Sequence, residues 1–160
     1  MGKRIKDAPS PFNSPFEIGF RMVYLLSALG MRGADLQKLV LLDYAVIYSE
    51  DLGGPASLHT PVPFRGSEIH SRRTLLQQSL HLMSVKGLVG ARMDSDGITY
   101  IPGEQSRSLV ASQTAQYARK LDERCNWAAA QFGDSKSDEL TATFLALGHR
   151  WGAEFEALSI

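Results

Sequence analysis

The stretch from Arg72 to Pro102 constrains the chain most. Leu75, Leu76, Leu80 and Met83 recur at helical spacing, with Ser71 placed to cap the start of a helix and Gly87 its end. Two strand-like runs follow, Leu88 to Met93 and Ile98 to Ile101, joined by Asp94-Ser95-Asp96-Gly97. Asp and Gly tolerate the positive φ that tight hairpins demand, so Asp96-Gly97 is a strong turn signal. Pro102-Gly103 closes the second strand.

Upstream, Ser14-Pro15-Phe16-Glu17 has the pattern of a capping box with proline at the first helical position. Phe16, Ile18, Met22, Leu25, Leu26 and Leu29 give that helix an apolar face, and Gly30 ends it. A second helix is expected from about Asp35 to Leu52. Three helices and a hairpin in this order predict a winged-helix domain over 13–103. Its connection from Gly53 to about Ser67 is long, because a DNA-reading helix-turn-helix uses a turn of about three or four residues. Loops of this length in compact domains are functional or disordered.

Downstream, Val110, Tyr117, Leu121, Cys125, Ala128 and Phe132 form one stripe, and Leu140, Phe144, Leu147, Trp151, Phe155 and Leu158 another. Joined at Gly133-Asp134-Ser135, they predict a long antiparallel helical hairpin over 104–160, with helices over about 104–132 and 136–158. Core packing is the expected use of its aromatic residues. The fold class is therefore mainly α: a winged helix followed by a helical hairpin, behind a disordered basic segment over 1–12.

No motif with an evident chemistry stands out in the sequence. No phosphate-binding glycine loop, dinucleotide fingerprint or nucleophile elbow occurs. The four histidines lack metal-ligand spacing, and one cysteine, Cys125 on an apolar stripe, fits a buried thiol. The expectation is a non-enzymatic chain with no catalytic residues, cofactor or metal. No run long and apolar enough to span a membrane occurs, and the basic start lacks the apolar stretch of a secretory signal. A lone cysteine suits a reducing cytoplasm.

Seventeen basic and seventeen acidic residues balance, which is unusual for a chain that lives by phosphate contacts. The charge is sorted along the sequence: +3 over 1–34, −3 over 35–58, +4 over 59–93, and −2 over each of 94–103 and 104–160. Arg72 and Arg73 open the third helix where a reading helix would meet DNA, and Arg65, Lys86 and Arg92 could extend the patch. Asp94 and Asp96 on the wing tip and Asp43, Glu50 and Asp51 on helix two oppose that use. These five basic residues are the candidate contacts to a protein partner or to DNA.

The opening Phe12-Asn13-Ser14-Pro15-Phe16-Glu17-Ile18-Gly19, the run Arg72-Arg73-Thr74-Leu75-Leu76 with Gly87-Leu88-Val89, and the tail Trp151-Gly152-Ala153-Glu154-Phe155 resemble the small middle components of bacterial three-component ABC-type systems, the Lamassu-like antiphage operons. There, a structural-maintenance-of-chromosomes-like ATPase is encoded beside an effector, often a nuclease. The resemblance implies a non-enzymatic cytoplasmic adaptor that binds the ATPase or the effector and so links the two. Partner contacts are expected at the 53–67 loop, the Arg72-Arg73 helix start and the exposed side of the last two helices. The alternative is a winged-helix DNA-binding transcriptional regulator. A small toxin-neutralising protein is a third possibility.

Overall fold

The computed structural model describes residues 14–59 and 68–147. The basic segment over 1–12, the far half of the long connection with Arg65, and the tail with Trp151, Phe155 and Leu158 lie outside the described residues. What is described is mainly helical, with six α-helices and one small antiparallel sheet.

Helix α1 (Pro15–Leu29) starts as its sequence dictates. The Ser14 Oγ accepts a hydrogen bond from the Glu17 N–H at 3.1 Å, and Pro15 occupies the first turn, where a missing N–H costs nothing. Gly30, at φ 66°, ends it and opens a short 3-10 turn through Arg32. Helix α2 (Leu36–Ile47) is capped by Asp35, whose carboxylate accepts from the Lys38 N–H at 2.8 Å. A tighter 3-10 turn, Ser49–Leu52, takes the place of the last turn of the longer helix expected there.

Every residue of α2 from Lys38 to Ile47 is buried, although its sequence suggests a single apolar stripe. A helix buried on all sides needs neighbours on all sides. α1, α3 (Glu68–Val85), α5 (Gln116–Phe132) and α6 (Ser137–Leu147) all pack against it. Residues on either side of position 103 therefore bury one another in a single core. Each fully buried Leu, Ile or Val of α2 is worth about 1.5–3 kcal/mol of burial. Helix α3 begins before Ser71, which lies within it and is not its cap.

The hairpin pairs β1 (Val89–Asp94) with β2 (Gly97–Pro102) in continuous register from Val89↔Pro102 to Asp94↔Gly97. A backbone bridge, Ala34↔Tyr100, ties β2 to the segment between α1 and α2. Beyond the hairpin, the helix expected over 104–132 is two. Helix α4 (Ser106–Ser112) ends where Gln113 turns extended, and α5 restarts after Ala115. The intervening Ser112-Gln113-Thr114 is poor in strong helix formers, and the break lets α4 and α5 each lie on α1. Among the described residues, aromatic side chains of α5 and α6 pack in the core as expected: Phe132 meets Phe144 edge-on at 6.0 Å, and Phe144 meets Tyr44 at 6.4 Å.

Candidate functional site

Among the described residues, a buried cluster of interacting charges lies inside the chain. Asp43 projects from the middle of α2 toward Arg21 of α1 and Arg72 of α3. Arg21 donates from Nε to Asp43 Oδ1 at 2.8 Å and from Nη2 to Oδ2 at 3.1 Å. Arg72 donates from Nη1 to the same Oδ2 at 3.1 Å. Arg21 and Asp43 are each 1% exposed and Arg72 8%. Burial alone would favour the neutral acid and is the largest influence on Asp43. The two guanidiniums outweigh it and hold the carboxyl below the usual carboxylate range. Burial likewise works against the charge of Arg21, and Asp43 reverses that effect.

Two further groups cover the cluster. The phenol oxygen of Tyr117, from α5, is hydrogen-bonded to Arg21. His59 Nε2 and Tyr117 Oη are 3.2 Å apart, and the rings stack with an interplanar angle of 27°. Burial, with the nearby positive Arg21, brings the His59 imidazole down to about 4, so it is neutral at pH 7. Burial raises the Tyr117 phenol, against the pull of Arg21, so it keeps its proton.

His59 is delivered by a strap, Gly53 to His59, the first half of the long connection. It is fastened along its length. Ser49 Oγ donates to the Pro55 carbonyl at 2.8 Å, and Arg124 of α5 donates twice to the Ala56 carbonyl, at 2.9 and 2.7 Å. Glu50 and Ser57 exchange hydrogen bonds, and the His59 N–H donates to the Ile47 carbonyl at 3.1 Å. Gly54 lies so close to the Trp127 indole that no side chain fits there.

Of the basic residues singled out from sequence, the four that are described, Arg72, Arg73, Lys86 and Arg92, do not form one patch. Arg72, expected at a contact surface, is drawn inside by Asp43. Arg73, the next residue along the helix, is exposed and donates to Gln37 Oε1 at 2.7 Å. Lys86 lies thirteen positions after Arg73, just past the other end of α3, about 20 Å away at the helical rise. Arg92 folds across the hairpin, donating to Asp94 Oδ1 at 3.0 Å and to the Met31 carbonyl at 2.9 Å. The acidic face expected of helix two is also internal in part: Asp43 is buried and Asp51 accepts from Tyr44 Oη at 2.7 Å.

Sequence reasoning missed Arg21, His59 and Tyr117 as members of this cluster. A signal existed: Arg21 and Asp43 are opposite charges each set inside a long apolar run, and such charges are almost never buried unless paired.

Two open grooves lie elsewhere. One, about 650 Å³, runs between the hairpin tip, the start of α2 and the α5–α6 turn. Several of its charges are already engaged. Lys38 Nζ donates to the Gly133 and Ser135 carbonyls at 2.7 and 2.6 Å, and Arg32 pairs with Asp134 at 3.0 Å. The other, about 640 Å³, lies between the first 3-10 turn and α4. Among the described residues, no group of histidine, cysteine and carboxylate side chains is arranged to hold a metal ion. No described helix is long and apolar enough to cross a membrane. Cys125 is buried, and burial raises its thiol well above the ordinary range.

Together these features define a class of small, mainly helical chain whose polar centre clamps helices together. The chain matches the family model described as ABC-three component (ABC-3C) system Middle Component 2 over residues 11–154, and it belongs to that family. No curated protein and no solved structure matches it.

Proposed function

We propose that this chain is the non-enzymatic adaptor of a bacterial antiphage complex, docking an SMC-like ABC ATPase against an effector, a nuclease in the simplest case. The observation that carries this reading is membership of a middle-component family across nearly the whole chain. A middle component has other components to bind. The buried cluster fits the role, since its charges are spent on joining three helices and a strap. That leaves partner binding to exposed positions such as Arg73 and the outer faces of α5 and α6.

The winged-helix arrangement is part of the same proposal. It is supported by the order α1, Ala34, α2, α3, β1, β2, with Ala34 taking the place of a first strand and bridging to Tyr100 on β2. The burial of Arg72 removes one of the two residues best placed for a reading helix to use on DNA. The adaptor works in the cytoplasm, and DNA, where it enters the complex, is held by the other subunits.

Co-expression with the products of the adjoining genes tests the reading. An ATPase with a long coiled coil and an effector should co-purify with the chain, and plaque assays should show loss of protection when it is deleted. A chain that stays alone at micromolar concentration beside both neighbours refutes the proposal.

A further inference from the structure

The two ends of the Gly53–His59 strap are held by different chemistry. The first part is pinned through its own backbone. The Gly54 N–H donates to the Ser49 carbonyl at 3.0 Å, the Pro55 carbonyl accepts from Ser49 Oγ, and the Ala56 carbonyl accepts from Arg124. None of these groups titrates in mild acid or near neutrality. The far end is held by His59, through its N–H on the Ile47 carbonyl at 3.1 Å and through the meeting of its ring with Tyr117. Ile47 is the last residue of α2, so its carbonyl has no acceptor role inside that helix, and the strap closes the helix end.

The sense of the His59–Tyr117 hydrogen bond follows from its surroundings. Arg21 has only protons to give, so the Tyr117 oxygen accepts from it. The phenol's own proton then points elsewhere, and His59 Nε2 lies 3.2 Å away. The charges on the surrounding helices favour the same sense. Arg21 on α1 and Arg72 on α3 repel a further proton on the ring, and Asp43 on α2 attracts one. Burial joins the two guanidiniums, and the balance is against the imidazolium. Tyr117 on α5 keeps its proton and is neutral. A ring that turns a lone pair toward this cluster is favoured over one that turns an N–H toward it.

We infer that His59 is the catch of the strap: with its proton on Nδ1 and Nε2 accepting from Tyr117 it holds the far end down, and a proton on Nε2 lets that end go. Two protons cannot share one hydrogen bond. A protonated ring could stay only if Tyr117 turned its own proton away and a third cation stood beside Arg21 and Arg72. Leaving breaks one backbone bond, to Ile47, while the pins at Pro55 and Ala56 remain. The catch is closed throughout the neutral range and opens in acid.

The test is nuclear magnetic resonance of the isotope-labelled full chain. At pH 7 the ring nitrogen shifts should place the His59 proton on Nδ1. Hydrogen exchange then reads the catch. An opening that takes up one proton grows about tenfold per pH unit between the ordinary imidazole value of 6.5 and the folded value of about 4. Corrected for intrinsic exchange, protection of the His59 N–H should fall with that slope. The N–H groups of Gly54, on the pinned part, and Tyr48, at the end of α2, should keep theirs. His59→Phe should abolish the slope. Glu50→Gln should leave it in place, although the Glu50 carboxylate accepts from the Ser57 N–H and is the other titratable fastening. Tyr117→Phe, which keeps the ring and removes the donor, should move the His59 titration up toward 6.5. The inference is overturned by a proton on Nε2 at pH 7, by protection indifferent to pH, or by equal loss at Gly54 and Tyr48. It is also overturned by a slope that survives His59→Phe or vanishes in Glu50→Gln, or by a His59 titration that Tyr117→Phe does not move.

Discussion

Replacing Asp43 by Asn keeps the shape of the cluster and removes the carboxylate that Arg21 and Arg72 share. The native contacts are three, at 2.8, 3.1 and 3.1 Å, on a side chain that is 1% exposed. An asparagine retains one acceptor oxygen and turns an amide donor toward a guanidinium. Breaking a buried ion pair by removing one partner costs about 3–5 kcal/mol, because the other charge is left in a poor solvent. That is a large part of the roughly 5–15 kcal/mol that stabilises a typical domain. Urea unfolding followed by circular dichroism should show the unfolding free energy falling by that amount, through a lower midpoint at unchanged slope. The melting temperature should drop by roughly 6–20 °C for a chain of this size. Replacing the three residues together, Arg21→Met, Asp43→Leu and Arg72→Met, should hold stability near the parent, since an apolar core of similar volume needs no pairing. A loss under about 1 kcal/mol for Asp43→Asn would refute the claim that Asp43 is the electrostatic centre of the fold.

Two further outcomes follow from the same burial. His59, with a folded value of about 4 against an ordinary 6.5, is held neutral. The unfolded chain then takes up the proton first, so this contribution is complete above pH 6.5 and is lost as pH falls toward 4. Discounted for a ring that is partly solvated, it amounts to about 1–2 kcal/mol. Urea midpoints at pH 7 and pH 5 should differ accordingly, and His59→Phe, which keeps the stacking on Tyr117, should flatten the difference. Cys125, buried with a raised thiol, should resist a disulfide reagent at pH 8 in the native chain and react within minutes in denaturant. Fast native labelling would refute the burial of Cys125 in the core.

The local signals in the sequence were faithful. Ser14 with Pro15, Asp35, Gly30 and Gly87 mark element ends because each acts through neighbours a few residues away. The hairpin was legible for the same reason. Ser71 misled because the backbone is already helical from Glu68, three residues before it. The helix expected over 104–132 failed at Gln113, since a stripe that happens to stay in phase hides a break. The site was the least legible part. Asp43 looks like a surface acid until α1 and α3 are placed beside it, and the partners it meets are 22 and 29 residues away. His59 and Tyr117 meet across 58 residues, a separation on which no short motif bears.

The envelopment of α2 bears on how the chain is made. Its outermost fastenings come from far along the polypeptide: Lys38 is held by carbonyls at positions 133 and 135, and Gln37 by Thr141. During translation this fully enclosed helix emerges about a hundred residues ahead of the last part of its cover. At ribosomal speeds of about 5–20 residues per second it waits several seconds for shelter. A nascent chain stalled before residue 130 should therefore be a client for chaperones, and the finished one should not.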